Sequence, residues 1–117
     1  MQKKATPQSP AAKTKAKSHM GWLKDRGICA ACSNDGGVIC HHSVGASFKV
    51  HVGIERVHIG NEFVLGLCLA CDTLRTRSRK AFIDAFGLEC KLWENQYQDS
   101  PIKFDALIVQ GIAECGR

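Results

Sequence analysis

A chain of 117 residues has room for one small domain, and a domain of that size buries so limited a fraction of its surface that it often needs a staple. Seven cysteines and a formal charge of +5 frame the problem, and no run of about 18 apolar residues is present to span a membrane. The opening residues, MQKKATPQSPAAKTKAKSHM, are basic and contain no apolar core of a secretory signal, so a reduced, cytoplasmic compartment is expected, in which paired cysteines read as metal ligands before disulfides.

The charge is concentrated at one end. Lys3, Lys4, Lys13, Lys15 and Lys17 precede any acidic residue, and the rest of the chain is formally balanced. With little to bury, residues 1–19 are predicted to be a disordered basic tail. Its lysines suit non-specific, salt-sensitive attraction to the phosphates of a nucleic acid; a purely solubilising tail is the plainer alternative.

The globular part is predicted to run over residues 20–117, with a small α+β fold. GWLKDRGICAAC reads as a short helix or turn that delivers Cys29 and Cys32, with Gly27 ending the helix. NDGG, residues 34–37, signals a turn, and VICHHS after it starts like a strand. EFVLGLC, residues 62–68, is a second strand candidate. Between them Val44 to Asn61 reads as a long loop with room for one short extra strand, and a loop of that length is usually functional. Beyond Cys71 the signals are helical. Ser78 caps RKAFIDAF and Gly87 ends it, with Phe82 and Phe86 on one stripe. ECKLWENQY is predicted to bury Leu88, Leu92 and Trp93. In SPIKFDALIVQGI, Ser100 is the predicted cap and Pro101 the first helical residue.

Two CxxC pairs, Cys29 with Cys32 and Cys68 with Cys71, carry the strongest chemical signal. Two intervening residues let the backbone curl so that both thiolates face one ion about 2.3 Å away, and two such knuckles make a tetrahedral four-cysteine zinc site. Buried apolar cysteines or a redox pair are the alternatives, but no βαβ pattern surrounds either motif. Cys40, Cys90 and Cys115 lack partners at ligand spacing and read as buried or free thiols. A shared zinc would also carry Asp72, next to Cys71, towards the twin histidines His41 and His42. Successive strand residues face opposite sides, so one imidazole can join Asp72 on a divalent ion such as Mg²⁺ or Mn²⁺ while the other addresses a water. Surface histidines at a strand end are the alternative. Arg75, Arg77, Arg79 and Lys80 follow as a candidate phosphate clamp, or else a solvated helix face.

The order CxxC, strand ending in HH, loop, strand, CxxC, helix resembles the HNH (ββα-metal) endonucleases. More narrowly, SHMGWLKDRGICAAC, CHHSVGASFK, FVLGLCLACD and RKAFIDAFG together resemble the phage and prophage HNH proteins typified by the recombination-enhancement, RecA-dependent nuclease family, over roughly Ser18 to Tyr97. The resemblance implies a ββα-metal core clasped by the zinc, C-terminal helices, and a metal-dependent DNA endonuclease in a bacterial host cell, with a recombinase filament as a partner. It implies His41 as metal ligand, His42 as general base and Asn61 as the middle residue that braces the loop. Cys71 falls where relatives often have His, and either completes the zinc site. Asp72 stands where the family usually has a metal-binding His, and a carboxylate can replace imidazole on a hard cation.

Overall fold

The computed structural model describes residues 10–43, 49–52, 55–59 and 61–115. The first of them are already helical. Helix α1 spans Pro10–Arg26 and buries Ala16, His19 and Leu23. This corrects the expectation of disorder over residues 1–19 for the part from Pro10 onward; residues 1–9 lie outside the described residues. Three features explain the difference. Proline is pre-set for a first helical turn, alanine has the highest helix propensity, and residues 16, 19 and 23 are spaced three and four apart to form one stripe. Gly27, with φ +66°, ends the helix in the left-handed region as expected, its N–H donating to Leu23 O at 3.0 Å.

His19 is the anchor of that stripe. Only 1% of its surface is exposed, its Nδ1 lies 2.9 Å from Ser100 Oγ, and its ring packs against Trp22, Tyr97 and Phe104. Burial, reinforced by the Lys103 ammonium, lowers its pKa from 6.5 to about 4. A histidine held neutral stabilises the fold fully above its unfolded pKa and loses that contribution as pH falls from about 6.5 towards 4. Between pH 7 and pH 5 the loss should be on the order of 2 kcal/mol. Urea unfolding of zinc-loaded protein at the two pH values measures it. His19→Phe should show a correspondingly smaller drop than wild type, because acid release of metal affects both chains alike. Equal drops would show that His19 is not held neutral.

Four strands follow: β1 (Ile39–His42), β2 (Lys49–Val52), β3 (Glu55–His58) and β4 (Val64–Leu67). They make two antiparallel pairs. β1 pairs with β4, Ile39 opposite Leu67 and His42 opposite Val64. β2 pairs with β3, Lys49 opposite His58. The two expected strands are therefore present and adjacent, and the intervening segment carries a hairpin where one short strand was expected. Residues 44–48, 53–54 and 60 of that segment lie outside the described residues.

Among the described residues four helices follow β4: α2 (Leu69–Arg77), α3 (Arg79–Phe86), α4 (Glu89–Gln98) and α5 (Ala106–Ala113). Ser78 caps α3 by accepting from Ala81 N, and Gly87 at φ +93° ends it, both as read from the sequence. The last helix does not start at Ser100. Its cap is Asp105, whose carboxylate accepts from Leu107 N. Ser100 is already committed, its hydroxyl bonded to His19 and accepting from Ile102 N, so Pro101 continues a turn and not a helix. No helix among the described residues is long and apolar enough to cross a membrane.

β4 is the spine of this small α+β fold. Val64, Leu65 and Leu67 are fully buried because α1 and α4 both pack on the strand. Phe63 and Trp93 meet edge to face, Trp93 stacks on Tyr97 at 4.6 Å between ring centroids, and the indole N–H donates to Glu62 O at 2.7 Å. α4 approaches the strand at Gly66, whose N–H donates to Gln96 Oε1 at 3.0 Å. A Cβ there would meet the Gln96 amide and Val38 at 3.1 Å. β1, β4 and α2 are in mutual contact, and this strand–strand–helix unit positions the candidate site.

Candidate metal centre and adjoining histidine site

The two cysteine knuckles stand at the same end of the β1–β4 pair. The first follows Gly27: Cys29 N donates to Asn34 O at 2.8 Å and Ser33 N to Cys29 O at 3.0 Å, and Ser33 takes a positive φ of 64° to close the curl. Ala30 N donates to Gly66 O at 2.8 Å, which fastens this knuckle to β4. In the second knuckle, Cys68 directly follows β4 and stands at the N-cap position of α2, placing Cys71 in the first turn of that helix. All four Sγ atoms lie within 4.8 Å of one another. Cys32 Sγ and Cys68 Sγ are 3.7 Å apart, close to the roughly 3.8 Å edge of a tetrahedron with metal–sulfur bonds of about 2.3 Å. The donor set and its spacing fit a metal such as zinc.

The electrostatics of the four thiols differ. Burial pushes Cys29 up, but the backbone amides of Cys32, Cys68 and Ala31 outweigh it and bring the thiol to about 7. Burial and the three neighbouring thiols push Cys71 up. Metal binding would displace the proton that burial and its neighbours favour on Cys71. Cys40, Cys90 and Cys115 stand outside it as reduced thiols.

The histidine site adjoins the second knuckle. His41 and His42 occupy the last two positions of β1 and, as strand alternation requires, point to different surroundings: His41 is half-buried and His42 exposed. Asp72, in the first turn of α2, meets His41, with Nδ1 and Oδ1 2.7 Å apart. His42 Nε2 donates to Asn61 Oδ1 at 2.7 Å. Because that bond fixes the ring proton on Nε2, a neutral His42 presents the lone pair of Nδ1 as an acceptor at the surface. The pairs His41–Asp72 and His42–Asn61 therefore both form, each from a different face of the same strand end.

The cationic residues are not one row. Arg75 turns inward: its Nε and Nη2 donate to the two carboxylate oxygens of Glu89, and it is not a phosphate clamp. Arg77 and Arg79 are exposed on either side of Ser78. Lys80 is also exposed and pairs with Asp84 one helical turn away at 3.0 Å. On α1, Lys13 and Lys17 are exposed one turn apart, while Lys15 donates to Lys103 O at 3.1 Å. A basic surface remains, but it is spread over three helices, α1, α2 and α3.

Sequence reasoning missed Glu89. This carboxylate, in the first turn of α4, is 0% exposed and lies 3.7 Å from the second ring nitrogen of His41. An acid in a first helical turn ordinarily complements the helix dipole at the surface, so nothing in its local sequence marks it as buried. Comparison of the chain with family models, with curated proteins and with solved structures gave no match.

Proposed function

We propose that this protein is a divalent-metal-dependent DNA endonuclease of the HNH type, working in recombination or DNA processing of a phage or prophage. The observation that carries this reading is the pairing of His42 Nε2 with Asn61 Oδ1 on the strand that also brings His41 to Asp72. The residues have separable roles. His42 Nδ1 takes a proton from the attacking water, and Asn61 holds the tautomer that leaves this nitrogen free. His41 and Asp72 would hold Mg²⁺ or Mn²⁺, which suits an imidazole and a carboxylate with water completing the sphere. When bound, the cation polarises the phosphoryl oxygen and stabilises the leaving oxygen. Exposed Arg77, Arg79, Lys13 and Lys17 hold flanking phosphates, and the zinc held by the four cysteines is the scaffold. The family resemblance adds a recombinase filament as a partner.

The test is cleavage of supercoiled, linear and single-stranded DNA across a panel of divalent ions, with and without a recombinase filament. Nicking that needs Mg²⁺ or Mn²⁺ and stops with chelator is the expected result. A specific observation favours a second reading: His41 and Asp72 already satisfy each other, and the exposed cations owe nothing to either. Should no substrate be cut under any ion while DNA is still retained at low salt, the protein is a non-catalytic zinc-stabilised nucleic-acid-binding module.

A further inference from the structure

The buried side of His41 carries information that the open side does not. The Asp72 carboxylate stands at Nδ1, 2.7 Å away, and the Glu89 carboxylate at Nε2, 3.7 Å away. Nε2 is a buried nitrogen with no hydrogen-bond partner among the described residues, and the latter distance is too long for a bond. A neutral imidazole has one ring proton to divide between two acids. If the proton sits on Nδ1, it serves Asp72, and the lone pair of Nε2 faces the Glu89 oxygen 3.7 Å away. With the proton on Nε2, it is directed at Glu89, and the Nδ1 lone pair stands beside the Asp72 oxygen. That second arrangement is a ready pair of donors for a cation. Arg75 holds the acid in place: its Nε and Nη2 donate to the two oxygens of the fully buried Glu89 and so fix that carboxylate beside the ring.

We infer that Glu89, held by Arg75, is the positioning residue of the cation site: it accepts the Nε2 proton of His41 and so turns the Nδ1 lone pair towards an ion shared with Asp72. Metal-ligating histidines commonly give their other ring N–H to a carboxylate, which fixes the tautomer and raises ligand basicity. Glu89 touches neither substrate nor ion and acts through His41. The inference rests on the cation site of the proposed endonuclease, and it adds two residues, Glu89 and Arg75, to what must be intact for that site to fill.

Two measurements on zinc-loaded protein test it. In the first, ¹⁵N–¹H spectra of the His41 ring are recorded with and without Mg²⁺. The expected result is a proton on Nε2 once Mg²⁺ is present; a proton remaining on Nδ1 overturns the inference and needs no variant. The second is Mn²⁺ binding followed by electron paramagnetic resonance. Glu89→Gln should weaken binding by about tenfold or more with zinc content unchanged, and Asp72→Asn should abolish it. If wild type and Glu89→Gln bind Mn²⁺ within about twofold of each other, far less than such carboxylates usually contribute, the site exists and Glu89 does not position it. If wild type binds no Mn²⁺ at all, the cation site of the proposed function falls, and the role of Glu89 falls with it.

Discussion

Stripping the metal from the four-cysteine centre should unfold the protein, and returning zinc should refold it. The two knuckles lie 36 residues apart at Cys32 and Cys68, and between them runs everything from the first turn to the end of β4. Closing a loop of that length removes chain entropy worth about 4 kcal/mol when the closure is covalent. Zinc adds the binding energy itself, about 10–16 kcal/mol for structural sites near neutral pH. A small domain has a net stability of only about 5–15 kcal/mol, so the ion decides whether the fold persists. Loss also has a local cost: Cys29 and Cys71 are buried, and without metal the four sulfurs must sit in contact while sharing nothing but weak hydrogen bonds. Far-ultraviolet circular dichroism before and after chelation, with metal content by mass spectrometry, reads the effect. The expected values are about one zinc per chain for a single tetrahedral site and a helical signal lost with it. Cys71→Ser should reproduce the loss, whereas Cys115→Ser, outside the cluster, should not. A metal-free protein with an unchanged melting transition would remove the scaffold from every functional reading above.

The features legible in the sequence were those whose cause is local. A CxxC needs only its own backbone to aim two sulfurs, and the two pairs do converge. Ser78 and Gly87 bound α3 because a hydroxyl cap and a residue at positive φ act within one turn. β1 and β4 could be placed by their β-branched and apolar runs. What stayed hidden depends on partners far along the chain. His19 belongs to a helix because it meets Ser100, 81 residues away, and its flanking lysines gave the segment the composition of a tail. The same contact occupies the hydroxyl that otherwise reads as the cap of the last helix, so one distant pair accounts for two departures. Arg75 looked like its exposed neighbours until Glu89, on another helix, drew it inside. The meeting of His41 with Asp72 crosses this divide because Asp72 directly follows Cys71, and the convergence of the two cysteine pairs carries it to the end of β1.

Replacing His42 with alanine should cost nicking activity about 10²- to 10⁴-fold, the usual worth of a positioned general base, while zinc content, melting temperature and DNA retention stay near wild type. The argument rests on exposure. His42 is at the surface, and its side-chain hydrogen bond among the described residues is to Asn61, so truncation leaves no cavity and no orphaned buried group; surface changes of this sort usually stay within about 0.5 kcal/mol. A structural role would instead appear as a lowered melting temperature with activity falling in proportion. Asn61 separates catalysis by His42 from mere proximity to DNA. Asn61→Ala removes the acceptor that keeps the ring proton on Nε2, which leaves the base present but free to adopt the tautomer with Nδ1 blocked. Its activity should fall between those of wild type and His42→Ala, and the double variant should be no slower than His42→Ala alone, because the amide acts only through the imidazole. Additive losses in the double variant would mean that Asn61 works on the DNA by itself, and full activity in His42→Ala would move the proton acceptor elsewhere.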